Sequence, residues 1–132
     1  MAECRPPSER NGVRDRAEYA RGDKSGRANI GWHFARQGVL TVLANYRLAP
    51  DHHWPSGPQD VVAVWRWLRD NMPTWGGNPA QVVLMGESAG AAHVAAATLM
   101  RRFQPAPSDW RIAGAVLLSG PYNARLEGLA RR

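Results

Sequence analysis

Apolar residues in this chain fall into short dense runs, separated by polar stretches rich in proline and glycine. Val39 to Tyr46 (VLTVLANY), Val82 to Met85 (VVLM) and Ile112 to Leu118 (IAGAVLL) are nearly continuous, the pattern of strands covered on both faces. Between the first two runs, Val61, Val64, Trp65 and Leu68 recur at helical spacing and predict a helix to about Asn71. Ser56 with Gln59 three residues on resembles a capping box, and Pro58 suits a first helical turn. Ala28 to Gln37 reads as a shorter helix with Ile30, Phe34 and His33 on one face, ended by Gly38. After Gly90 comes an alanine-rich helix expected to reach Arg102, its small side chains implying close packing on a sheet and its last arginines complementing the helix dipole. Pro50 and Pro55 mark a loop, Gly76-Gly77-Asn78-Pro79 a turn, and Pro105 with Pro107 a break.

The resulting order, α-β-α-β-α-β with strands apolar throughout, predicts an α/β fold: a parallel sheet with helices on both faces and right-handed crossovers. Residues 1 to 27 are polar with intermixed charges, and Val13 and Tyr19 are almost their only large apolar residues. Such a segment cannot bury enough surface to offset its ordering entropy and is expected to be disordered. Residues 28 to 122 then form the folded domain and 123 to 132 a tail with little signal.

Composition narrows the picture modestly. At 132 residues, 44% hydrophobic and 21% charged, there is room for one domain with a modest core. No apolar run has membrane-spanning length, so no membrane association is expected. The N-terminal residues carry no signal-type apolar segment, which makes cytoplasm the expected compartment. Cys4 is the only cysteine, so neither an intramolecular disulfide nor a cysteine metal site can form. No metal or other cofactor is expected. The net charge of +6 invites a nucleic-acid reading, but the arginines are scattered or sit at the two ends, without a zinc-finger, RNP-type or basic-zipper pattern. Solvated surface charge is the preferred account, and nucleic acid is not the expected partner.

The candidate chemistry lies at Gly86-Glu87-Ser88-Ala89-Gly90, between the second strand and the alanine-rich helix. Strand, G-x-S-x-G, helix is the layout of a nucleophile elbow, in which a strained serine projects its hydroxyl from the top of a sheet. Gly86 and Gly90 would let strand and helix approach closely. Ser88 would attack a carbonyl, and the N–H of Ala89 at the helix N-terminus would help hold the developing oxyanion. Taken alone, the motif is equally the mark of a glycine-rich turn with an N-cap serine, the commoner case; it recurs by chance in roughly one chain in ten or twenty of this size.

More of the chain bears on the choice. Asn45-Tyr46-Arg47-Leu48-Ala49-Pro50, then His52, Trp54-Pro55, Asp60, the Trp65 helix, Gly76-Gly77-Asn78-Pro79 and Gly86 to Gly90 run in order. From about Gly22 to Pro121 this resembles the α/β-hydrolase esterases and lipases of the hormone-sensitive-lipase and arylformamidase-like branches. The resemblance implies a small-molecule ester substrate, or an aryl formamide, with Ser88 as nucleophile and Ala89 in the oxyanion hole. It implies that Tyr46, Arg47 and Asp60 brace the loop and helix beside the site, and that Glu87 supports it from behind.

The same comparison exposes gaps. The family carries a hydrophobic strand ending in His-Gly-Gly, whose loop completes the oxyanion hole, where this chain has Asn11 to Tyr19. The family's acid and histidine follow later strands; here Asp109 precedes the last strand, Glu127 lies in the tail, and no histidine follows His93. His93 is expected to pack against a neighbouring helix, His33 to be half-buried, and His52 and His53 to lie at the surface or brace a turn rather than serve as base. The expectation is therefore a partial α/β-hydrolase fold of three parallel strands alternating with helices, its central oxyanion-loop strand missing. A fragment, a frame-disrupted product or a mis-assigned start and stop would account for it. Activity near background is expected, with a non-catalytic binding module or pseudoenzyme as the alternative, and an open sheet edge through which the chain could self-associate.

Overall fold

The computed structural model describes residues 22–106 and 112–122. A 3-10 turn, Lys24–Arg27, leads into α1 (Ala28–Ala35). A long connection then reaches α2 (Ser56–Asn71), followed by 3-10 turns at Met72–Trp75 and Pro79–Gln81. β1 (Val83–Glu87) passes directly into α3 (Ala89–Leu99), and β2 (Gly114–Leu118) closes the described chain. β1 and β2 pair in parallel, in register from Val83 opposite Gly114 to Glu87 opposite Leu118. No helix of the described residues is long and apolar enough to cross a membrane.

The core lies between one face of this sheet and the pair α2 and α3. Trp65, Met72, Val82, Leu84 and Val94 are buried together, with Val61, Leu68, Ile112 and Leu117 packed against them. Alanine explains how α3 serves two neighbours at once. Ala91 and Ala97 are wholly buried, and Ala89 and Ala96 nearly so, which lets α3 lie close to both α2 and the strands. Trp65 fills the largest share of the core at 1% exposure, and the Arg69 guanidinium lies 5.6 Å from its ring centroid.

Several expectations are corrected. Val39 to Tyr46 forms no strand: it belongs to no sheet, and the described sheet has two strands rather than three. A strand is a property of a pair, and an apolar run without a ladder partner stays irregular whatever its propensity. β1 and β2 are covered on one face only, so Val83, Met85, Val116 and Leu118 are exposed where burial on both faces was expected. The Ser56 capping box does not form. Pro55 is the N-cap of α2 without a side-chain cap, and Ser56 is instead buried inside the first turn. α3 ends at Leu99, so Arg101 and Arg102 fall in the following turn rather than in its last turn.

Further differences fall near the start of the described chain. Residues 22 to 27, expected to be disordered, are ordered by a side-chain cap: Asp23 accepts from the Ser25 N–H at 2.8 Å. The Asn45 amide donates to Asp23 at 2.8 Å and accepts from the Lys24 N–H at 2.7 Å, tying this turn to the connection after α1. Hydrogen bonds from the Ser25 side chain, then from its N–H and from the Asn45 amide, hold the Asp23 carboxyl down to about 2. α1 buries none of its residues, and His33 is exposed, not half-buried. α1 ends at Ala35, two residues before the expected Gln37, and Gly38 follows in the turn beyond it, at φ 79°. The expectations for 1 to 21 and 123 to 132, with Cys4, Asp109 and Glu127, lie outside the described residues.

Candidate active site

β1 delivers the chain to Ser88 in an extended conformation and α3 begins at the next residue, so the whole reversal falls on one residue. Ser88 has φ 53° and ψ −121°, a region that a side chain with Cβ enters only under strain. Its N–H donates to the Leu118 carbonyl at 2.8 Å, fastening the corner to the end of β2. Its carbonyl accepts from Ala91 at 3.0 Å and Ala92 at 3.3 Å, opening the helix. An ordinary N-cap serine has extended dihedrals and spends its hydroxyl on an amide of the first turn. Ser88 does neither, and it is exposed. The hydroxyl is therefore free of the helix it precedes, beside first-turn N–H groups, that of Ala89 first, which have no intrahelical acceptor.

The two glycines differ. A Cβ on Gly86 would sit 2.5 Å from the carbonyl carbon and oxygen of Gly90 and 2.7 Å from the Ala91 nitrogen. Only a glycine lets β1 pass that close to the helix. A Cβ on Gly90 would meet nothing nearer than the Tyr46 ring at 4.0 Å, so close approach accounts for the first glycine and not the second.

Glu87, the last residue of β1, points away from the core and forms an ion pair with Arg27 at 2.5 Å. Both side chains are about half exposed, so the pair adds little stability but fixes where the Lys24–Arg27 turn lies relative to the corner. Nothing in the sequence signalled Arg27, because the pairing joins residues sixty positions apart.

Tyr46, Arg47 and Asp60 are brought together beside this corner. Asp60 in the first turns of α2 accepts from the Arg47 N–H at 2.8 Å and from its guanidinium at 2.8 to 3.1 Å. Burial pushes the Asp60 carboxyl up, but the Arg47 bonds outweigh it and hold the group below its ordinary value. Hydrogen bonding to Asp60 in turn raises Arg47. Tyr46 packs edge-on against His93 with ring centroids 4.7 Å apart.

No histidine of the described residues is hydrogen-bonded to Ser88. His93 is buried, stacked near Trp54 and pressed on the start of α2 so closely that a Cβ on Gly57 would come within 2.5 Å of its ring. That burial lowers its pKa, with Asp60 pulling weakly the other way. His93 thus has the packing role expected of it. His52 and His53 are exposed in the turn before α2. His33 meets the Gln37 amide at 2.8 Å on α1. Among the described residues no three His, Cys, Asp or Glu side chains are grouped to hold a metal.

The sequence profile of a family described as alpha/beta hydrolase fold matches residues 25–131, most of the chain. The chain belongs to this family. The described residues, a two-stranded parallel sheet with helices packed on one face, form a partial α/β-hydrolase fold. Among curated relatives, carboxylesterase NlhH of Mycobacterium tuberculosis is 40% identical over 52 residues, covering 39% of this chain and 16% of that protein. The probable carboxylic ester hydrolase LipM of Mycobacterium tuberculosis is 32% identical over 111 residues, 80% of this chain and 26% of that protein. Liver carboxylesterase 1 of Oryctolagus cuniculus is 33% identical over 113 residues, 74% of this chain and 19% of its own length. The chain therefore spans about a quarter or less of these relatives.

Proposed function

We propose that this chain carries the nucleophile corner of a serine carboxylic-ester hydrolase. The observation that carries the reading is the strained Ser88, with its hydroxyl uncommitted at the start of α3. In this reading the Ser88 Oγ attacks the ester carbonyl, the Ala89 N–H holds the oxyanion, and collapse expels the alcohol to leave an acyl-enzyme that water cleaves. Arg47 and Asp60 position the connection beside the corner, and the Arg27–Glu87 pair steadies it from the other side. Relatives named as carboxylesterases support an ester over a formamide substrate.

The Oγ proton needs an acceptor, and none of the described imidazoles or carboxylates is bonded to Ser88. Loss of triad partners costs several orders of magnitude in rate, so the chain alone is expected to hydrolyse esters near background. Release of p-nitrophenol from a short-chain ester, compared with Ser88→Ala, tests this. Brisk turnover abolished by the substitution would establish Ser88 and refute the missing base; turnover indifferent to it would refute Ser88 as nucleophile. Among the described residues no strand pairs with the other edge of β1, which further supports self-association of the chain.

A further inference from the structure

A second serine stands beside the first. The register of the sheet closes on Glu87 opposite Leu118, and the Ser88 N–H still reaches the Leu118 carbonyl at 2.8 Å. The next residue of β2's chain, Ser119, is thus level with Ser88 on a neighbouring strand, roughly 5 Å across the ladder. Open parallel sheets take their ligands at this carboxyl end of the strands.

Ser119 shares the conformation of Ser88. Its φ is 50°, against 53°, and apart from glycines these two are the only described residues with positive φ. Ser119 is exposed, and among the described residues no hydrogen bond occupies its hydroxyl. A chain that merely turned here would use glycine, which takes this conformation without strain. Glycine is at hand one residue later, but in another role: Gly120 has no positive φ, and a Cβ on it would strike the Tyr122 ring. The Tyr122 N–H donates to the Gly120 carbonyl at 3.0 Å, closing a tight hook at the strand end. The hook leaves a hydroxyl, rather than a glycine, in the strained position next to Ser88.

We propose that the Ser119 hydroxyl is a catalytic donor to the departing alcohol oxygen of an ester attacked by Ser88. The inference rests on the reading of Ser88 as nucleophile and adds the residue that meets the other end of the scissile bond. The Ala89 N–H serves the carbonyl oxygen; collapse of the tetrahedral adduct then places charge on the alkoxy oxygen, which needs a donor of its own. A serine hydroxyl donates one hydrogen bond and at neutral pH is no base, so Ser119 assists departure without taking the Ser88 proton. That proton passes to solvent and from solvent to the alcohol.

The phenyl and p-nitrophenyl esters of one alkylphosphonate test this on the full chain. In each, the bond from Ser88 Oγ to phosphorus forms, the bond from phosphorus to the aryl oxygen breaks, and the phenol leaves with the proton. Intact mass gives the rate and peptide mass the labelled residue. Ser119→Ala and Ser119→Gly should each slow labelling of Ser88 by the phenyl ester about tenfold, the worth of one ordinary hydrogen bond. The p-nitrophenyl ester should be slowed far less, because its departing charge is delocalised. Ser119→Gly should also melt no lower than the unaltered chain, since glycine suits φ 50°; slower labelling in a fold at least as stable separates a donor from a structural part. If Ser119→Ala loses its far-UV circular dichroism, Ser119→Gly alone decides. Equal slowing with both esters, or none with either, would overturn the Ser119 role and leave Ser88 standing. Label on Ser119 itself would overturn the donor role. Labelling that survives Ser88→Ala at Ser119-independent sites, or runs no faster than in the urea-unfolded chain, would overturn the Ser88 reading and this inference with it.

Discussion

Replacing Gly86 by alanine is the sharpest test of the corner. Gly86 has no positive φ, so the substitution brings no backbone penalty and its effect is purely steric. The new Cβ would lie 2.5 Å from two backbone atoms of Gly90, about 1 Å inside ordinary contact, and neither can rotate aside as a side chain could. β1 and α3 must separate, although both are pinned: β1 by its ladder to β2, and Ser88 by its bond to Leu118. Overpacking of this kind costs about 1–3 kcal/mol, and contact with backbone rather than a movable side chain points to the upper end. Gly90→Ala is the internal control. Its Cβ has 4.0 Å of room, and alanine in place of glycine in a helix gains up to about 1 kcal/mol. Urea unfolding followed by tryptophan fluorescence should thus move the two midpoints in opposite directions. Equal effects, or Gly86→Ala within about 0.5 kcal/mol of the unaltered chain, would refute the close-approach account.

Ser88→Gly should raise the melting temperature above that of Ser88→Ala by relieving about 1 kcal/mol of strain at φ 53°, and a lower value would remove the strain. Trp65→Ala should cost about 3–5 kcal/mol in urea unfolding, because its ring is almost wholly buried between α2 and the sheet. Asp60→Asn should cost about 1–3 kcal/mol at neutral pH. Because the folded carboxyl of Asp60 lies below its ordinary 3.8, its contribution is complete above that value and is lost as pH falls through the folded value. The variant should therefore lack the corresponding acid limb of a stability–pH curve. His93, also lowered in the fold from 6.5, contributes in the same sense: stability should fall as pH drops from about 7 through its folded value, and His93→Asn should flatten that slope.

Much of this was legible in the sequence because it is local. The Val61–Leu68 spacing and the GESAG corner each encode their conformation within a few residues, and the apolar runs at Val82 and Ile112 become strands as each other's ladder partners. The Arg47–Asp60 contact was legible only through family resemblance, since no spacing rule joins a loop arginine to a helix aspartate thirteen residues on. What misled was anything depending on a neighbour. Val39 to Tyr46 reads as a strand, yet the sheet offers it no ladder. Ser56 reads as a cap, but the turn before it places Pro55 there instead. The Arg27–Glu87 pair and the ring cluster of Tyr46, Trp54 and His93 were invisible for the same reason: each joins separate parts of the chain.

The bond from the Ser88 amide to the Leu118 carbonyl makes one proton a gauge of the whole sheet. β2 follows α3 and is held to the rest by its pairing with β1, by its packing on α3 and by Ile112 and Leu117 in the core, so the sheet opens only where these contacts break. Whenever it does, the corner loses its anchor. The rate at which that amide trades its proton for deuterium then measures how often the serine is held in place, whether or not any ester is present.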